Sequence, residues 1–170
     1  FECSTGYYMK NAEWREVNAS LGRLLDRHAN KRRPLEKMAA EIDARCQALY
    51  PVMDRLCSET CPWCPDPCCL KAKIRWDLRD LLKLHLTCAP LPIAQPLDAR
   101  THSCRYLGPK GCLLARDLRP WICSWYICPT QMARIDNGKL MRRSELESAI
   151  LIIKKLRNDL EKAFIRITAE

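Results

Sequence analysis

Apolar residues recur at three- and four-residue steps in both terminal parts of the chain, a spacing typical of helices that bury one stripe. From Asn11 the first stripe comprises Trp14, Val17, Leu21, Leu24 and His28. A second stripe follows the polar segment at 30–34 and comprises Leu35, Met38, Ile42, Cys46 and Leu49. We expect Pro34 to begin the second helix. We expect Pro51 to end or kink it, because a proline ring clashes with the carbonyl four residues earlier.

Two more helices are predicted further along the chain. Asp77 is placed to cap a leucine-rich helix that ends near Pro90 and Pro92. Ser144 and Glu147 have the spacing of a capping box, and a long stripe follows them: Leu146, Ile150, Ile153, Leu156, Leu160, Phe164 and Ile167. The pattern predicts a mainly α fold in which N- and C-terminal helices frame the middle of the chain. We expect the face with Leu21 and Leu24 to pack on the face with Leu156 and Leu160.

The middle of the chain follows neither period. Three prolines in the CSETCPWCPDPCC segment, which starts at Cys57, predict an irregular loop. Residues 104–114 predict a short β-hairpin with Gly108 to Gly111 as its turn, and a short helix is expected after Pro120. Pro129 is expected to close this part. The sequence therefore predicts a single domain, 1–170, with a helical frame at 1–56, a cysteine module at 57–130 and a C-terminal helix at 131–170.

Twelve cysteines occur in the chain, and most of them lie in the cysteine module. Thiolates are the ligands that zinc, copper(I) and iron–sulfur clusters prefer. An even number also permits disulfides, but disulfide scaffolds are usually shorter, loop-rich secreted chains, so a metal site in the cytoplasm is favoured. The candidate ligands are Cys61, Cys64, Cys68, Cys69, Cys104, Cys112, Cys123 and Cys128.

Five other residues have weaker claims to a ligand role. Cys3, Cys46 and Cys88 are interpreted as packing or surface thiols, since Cys46 lies on an apolar stripe and the other two are isolated. Cys57 is left undecided. His102, two residues before Cys104, is a candidate for a mixed ligand set.

The order of these cysteines resembles the YkgJ-like cysteine-cluster family, described as a zinc- or iron-chelating domain. Its first block is matched by Cys61, Cys64, Cys68 and Cys69, its separated pair by Cys104 and Cys112, and its last block by Arg119, Pro120, Cys123 and Cys128. The resemblance covers about residues 57–130 and implies a metal-binding role for these cysteines. The module is also similar to that of flagellin lysine methylases, which are much longer.

Three functions remain open at this point. The favoured one is an iron–sulfur protein, most simply with a [4Fe-4S] cluster or two metal centres, for electron transfer or cluster handling. Cysteine followed by proline, as at Cys61 and Cys128, recurs in bacterial ferredoxin motifs, and no glycine supports a zinc knuckle between Cys57 and Cys104. The alternatives are a structural four-cysteine zinc module and an accessory or fragment of a methylase-like enzyme. Whether the chain is itself an enzyme is left open.

The formal net charge of +9 overstates the basic character, because ligating thiols are deprotonated. A basic cluster where the first two helices meet has no aromatic residues between its charges, so nucleic-acid binding is not expected. No membrane partner is expected either. The expected partners are an unidentified protein or a second copy of the chain, bound through the terminal helices.

Overall fold

Seven α-helices and one antiparallel hairpin form the fold in the computed structural model, which describes residues 11–98, 101–137 and 141–169. The helices are α1 (Asn11–Arg27), α2 (Arg32–Thr60), α3 (Cys68–Lys71), α4 (Leu78–Leu86), α5 (Ile122–Trp125), α6 (Pro129–Asn137) and α7 (Arg143–Thr168). The strands are β1 (Leu107–Gly108) and β2 (Gly111–Cys112), and 3-10 turns lie at Ala29–Lys31, Cys61–Trp63 and Arg116–Leu118. The prediction of a mainly α fold with one short hairpin is confirmed.

The core lies where α2, α4 and α7 meet. The main partner of α7 is α2, and α4 packs against both. The most deeply buried side chains include Leu35, Ile42, Ile153 and Leu160 of the predicted stripes, together with Leu82 of α4 and Leu56 near the end of α2. Burying such a side chain stabilises the fold by roughly 1.5–3 kcal/mol, so this three-helix core is the frame that carries the cysteine module.

The first helix is held against the segment around α4 by its polar and aromatic side chains. The indole of Trp14 lies 5.5 Å from that of Trp76, and its Nε1 donates to the Pro92 carbonyl at 2.7 Å. Asn18, also on α1, contacts His85 of α4 at 3.2 Å. The expected packing of α1 on α7 is therefore not the main packing of either helix.

Pro51 does not end α2, which continues to Thr60. The proline is exposed, whereas Tyr50, Met53 and Leu56 beside it are buried. Burial of this face offsets the hydrogen bond that proline cannot make. Cys57 therefore lies on a helix and not in the predicted loop.

The ends of α4 are set by short-range hydrogen bonds. Asp77 and Asp80 form the predicted cap, since each carboxylate accepts the other's backbone N–H, at 2.8 and 3.1 Å. At the other end Cys88 has a φ of 53°, and the Ala89 N–H donates to the Leu84 carbonyl at 2.9 Å. This is a Schellman motif with cysteine where glycine is usual, so the helix ends before Pro90.

Three other predicted boundaries are wrong. The helix α7 begins at Arg143, whose preceding residue Arg142 donates its N–H to Glu145 at 3.3 Å, so Ser144 and Glu147 do not form the cap. Pro129 starts α6 instead of closing the module, because the first helical position needs no amide donor. Pro34 is the third residue of α2 and not its first.

Candidate metal centre

Four segments of the chain bring cysteines to one end of the frame. Seven thiols form the thiol cluster: Cys57 and Cys61 at the end of α2, Cys68 and Cys69 on α3, Cys104 and Cys112 at the hairpin, and Cys123 on α5. Every cysteine in the described part of the chain is a free thiol.

The thiols of this cluster act on one another electrostatically. Burial, followed by the neighbouring Cys112 and Cys104, raises the pKa of Cys123 to about 12. The two vicinal thiols shift in opposite directions. The contact between them lowers the pKa of Cys68 to about 6 and raises the pKa of Cys69. Like charges repel at short range, so each thiolate that forms here makes deprotonation of the next thiol less favourable.

A backbone hydrogen bond fixes the hairpin to the vicinal cysteines. The Cys104 N–H donates to the Cys69 carbonyl at 2.9 Å. Cys104 also forms an isolated antiparallel bridge with Leu97, and Leu107 pairs with Cys112 in the hairpin. The predicted turn is present, and Gly111 takes a φ of 115°, a value that favours glycine. The hairpin therefore places two thiols beside α3.

The other end of the cluster is lined by Gln131 of α6. Its Nε2 lies 3.7 Å from the Cys57 sulfur, 3.9 Å from the Cys61 sulfur and 3.3 Å from the Thr60 hydroxyl. Its Oε1 accepts the Cys128 N–H at 3.4 Å, which fixes the orientation of the carboxamide. The amide donor is thus directed at the two sulfurs.

A buried arginine completes this end of the cluster. Arg116 pairs with Asp54, with 2.6 Å between Nη2 and Oδ1, and its Nη1 donates to the Cys123 carbonyl at 3.4 Å. Its guanidinium also lies beside the Cys57 thiol. The thiol of Cys61 is the main cause that lowers the pKa of Cys57 to about 5, and Arg116 contributes in the same direction. This position favours a thiolate.

Six of the eight predicted ligands belong to the thiol cluster. Cys64 and Cys128 are not among the principal electrostatic neighbours of its members, whereas Cys57 is. The four-residue step from Cys57 to Cys61 places two side chains next to each other on a helix. This spacing would have predicted that Cys57 belongs to the cluster only if α2 had been expected to continue past Pro51. His102 is exposed in a turn with a φ of 54°.

Two of the three cysteines that were interpreted as packing or surface thiols lie in the described part of the chain. Cys46 is buried on α2 and Cys88 is exposed, as predicted, while Cys3 lies outside the described residues. Within the described residues, no three His, Cys, Asp or Glu side chains are already arranged to hold a metal ion. The donor atoms suit a soft metal, but thiol side chains would have to turn to new rotamers to bind one.

Several large apolar side chains of the module are exposed. Trp63 is 82% exposed, and Trp125 and Tyr126 pack edge to face with 6.3 Å between their centroids. The part of the module around the cysteines therefore leaves large aromatic side chains outside the core, whereas α4, which also lies within residues 57–130, belongs to the main core.

No family model, curated protein or solved structure matches the chain. The resemblance of residues 57–130 to the cysteine-cluster family therefore remains a prediction from the cysteine spacing. None of the helices in the described ranges is long and apolar enough to cross a membrane.

Proposed function

We propose that the cysteine module binds a metal through its thiolates, and that the occupant is an iron–sulfur cluster. The observation that carries the proposal is the thiol cluster itself, in which seven thiols from separate segments influence one another. Soft thiolates in this number are the donor set of zinc and iron–sulfur sites.

The electrostatics of the cluster favour a cation. Burial and neighbouring sulfurs raise the pKa of Cys104 and of Cys123, so these two thiols resist deprotonation. A metal would replace the protons and remove the mutual repulsion of the thiolates. Outside α4, the segments that carry the thiols also leave Trp63, Trp125 and Tyr126 exposed, and metal binding would supply folding free energy that packing does not.

The sequence around the thiols favours an iron–sulfur cluster over a zinc knuckle. Seven thiols exceed the four that one structural zinc ion or one [4Fe-4S] cluster takes, so their number leaves room for a second metal centre and does not choose the metal. Pro65 also follows Cys64 where a zinc knuckle prefers glycine. When bound, an iron–sulfur cluster supplies one-electron redox chemistry, which would suit electron transfer or cluster handling. The protein's own contribution is to donate hydrogen bonds to the sulfurs from Gln131 and Arg116.

Metal and sulfide analysis of anaerobically purified protein tests this proposal. We expect a brown protein with iron, acid-labile sulfide and a broad absorption shoulder that bleaches on reduction. The variant Cys69→Ser should lose most of the iron, and Cys88→Ser, which changes an exposed thiol outside the cluster, should retain it. Colourless protein with stoichiometric zinc and no sulfide would assign a structural zinc site, and protein with neither metal would contradict metal binding.

A further inference from the structure

The last turn of α2 places two sulfurs side by side. Cys57 lies in that turn, Cys61 is the residue that follows the end of the helix at Thr60, and the two thiols lie beside each other. Cys64, by contrast, follows the 3-10 turn in an extended conformation with a ψ of 118°. The pair on the helix therefore differs from the pair Cys61 and Cys64 that the sequence spacing indicates.

Two polar side chains are buried against this helical pair. Gln131 is 5% exposed and Arg116 is 7% exposed. The carboxamide of Gln131 directs one donor group toward both sulfurs, at 3.7 and 3.9 Å. The guanidinium of Arg116 lies beside Cys57 and donates to Asp54 at 2.7 Å.

Buried donors of this kind are costly unless they meet acceptors. A neutral thiol is a weak acceptor, whereas a ligating thiolate is a strong one and usually receives N–H donors from surrounding residues. The segments that supply these donors lie far away in the chain: Gln131 is 74 residues from Cys57, and Arg116 is 62 residues from Asp54. Tertiary packing has thus brought two donors to the sulfurs of one helical turn.

On the basis of the proposed metal centre, we infer that Cys57 is one of its ligands, paired with Cys61, and that Gln131 and Arg116 are positioning residues that donate to the ligating sulfurs. Cys64 is not the partner of Cys61 in this arrangement. The centre is then bound by Cys57 and Cys61, a C-x3-C pair at the end of α2, together with the thiols of α3, the hairpin and α5.

Alkylation of the wild-type chain tests the assignment without any substitution. Metal-loaded and chelator-stripped proteins are treated with iodoacetamide, and labelling of each cysteine is followed by peptide mass spectrometry. Metal should slow the labelling of Cys57 at least tenfold and leave that of Cys88, an exposed thiol, unchanged. Equal labelling rates of Cys57 in the two forms would overturn the inference, as would a Cys57–Cys61 disulfide in the metal-loaded protein.

Two serine variants compare the competing pairs directly. Cobalt(II) is titrated into the reduced, stripped chain, and the intensity of the thiolate-to-cobalt absorption reports the number of sulfur ligands. Cys57→Ser should weaken this band, whereas Cys64→Ser should leave it unchanged. The reverse result would overturn the inference. The helical circular dichroism signal shows whether each variant is folded, and the alkylation test decides the matter if Cys57→Ser is not.

The role of Gln131 has a readout of its own. Gln131→Leu should make the reduction potential of the bound cluster more negative, because donors to sulfur stabilise the reduced form. Gln47→Leu, on the exposed face of α2, is the matched control and should leave the potential unchanged. An unchanged potential in Gln131→Leu would contradict the positioning role.

These experiments distinguish a failure of the proposed metal centre from a failure of the Cys57 assignment. If wild-type protein binds no metal, the proposed function and this inference both fail. If it binds metal but Cys57 is labelled at the same rate with and without it, the metal centre stands and only the assignment of Cys57 fails.

Discussion

Arg157 in α7 forms a buried ion pair with Asp80 at the start of α4, with 2.8 Å between Nη1 and Oδ1. The same Asp80 oxygen accepts the Trp121 N–H at 3.1 Å, and the guanidinium lies 5.5 Å from the centre of the Trp121 ring. This one contact therefore links α4, α7 and the last part of the cysteine module.

Loss of this guanidinium should be strongly destabilising. Arg157→Leu leaves the Asp80 carboxylate buried without its cation, which costs about 3–5 kcal/mol of the free energy of unfolding. Denaturant unfolding measures the change. The matched control is Lys155→Leu, which removes an exposed ion pair with Asp159 and should cost less than about 1 kcal/mol. Similar losses in both variants would contradict the structural role given to Arg157.

The core of α7 can be tested with two identical substitutions on one helix. Leu160 is 0% exposed and Leu151 is 64% exposed. Leu160→Ala should lower the free energy of unfolding by about 2–5 kcal/mol, because it removes buried contacts and leaves a cavity. Leu151→Ala should change it by less than about 0.5 kcal/mol. Thermal or denaturant unfolding measures both changes. Equal losses of stability in the two variants would contradict the packing described for α7.

A single histidine should make the stability depend on pH. Asn18 donates its Nδ2 to the Trp14 carbonyl, so its Oδ1 faces His85 as an acceptor and the His85 Nε2 carries the proton. Burial, followed by Arg32, lowers the pKa of His85 in the folded protein below the ordinary histidine value of about 6.5.

The sign of the effect follows from this lowered pKa. The unfolded chain binds a proton at His85 before the folded one does, so this contribution to stability is present above about pH 6.5 and is lost as the pH falls. Comparison of unfolding at about pH 7.5 and about pH 5 should give a larger loss for wild-type protein than for His85→Gln. Equal losses would exclude His85 as a contributor.

Pro51 should lower the stability of α2 even though the helix continues through it. Proline in a helix interior is about 3 kcal/mol less favourable than alanine, so Pro51→Ala should raise the free energy of unfolding by about 1–3 kcal/mol. Pro34→Ala, in the first turn of α2, is the control, because its missing amide has no partner within the helix. A destabilised Pro51→Ala variant would mean that the proline fits a bend that α2 requires.

Removal of the metal should loosen the cysteine module and leave the helical frame folded. The frame has its own core in α2, α4 and α7, whereas residues 61–77 contain only short helical turns and irregular backbone. Hydrogen exchange should accelerate around α3 and the hairpin on chelation, with α7 unchanged. Unchanged exchange in the module after complete metal removal would show that packing alone holds it.

The sequence by itself determined the features that depend on neighbouring residues. The stripes of α2 and α7 were predicted correctly because burial of one face requires apolar residues at helical spacing. Asp77 was identified as a cap because its carboxylate meets an amide three residues later, and the turn before Gly111 because that position needs a positive φ. The concentration of cysteines in the module was also visible directly in the sequence.

Only the tertiary structure decided the features that depend on distant residues. Pro51 breaks the helical pattern locally, but Tyr50, Met53 and Leu56 are buried in the core, and their burial keeps α2 intact as far as Cys57. Neither Gln131 nor Arg116 had any local sign of a role near the thiols. Each reaches them from a segment far away in the sequence, because α6 and the Arg116–Leu118 turn pack against α2. Spacing rules see only near neighbours, whereas the surroundings of a sulfur are set by every element that packs around it.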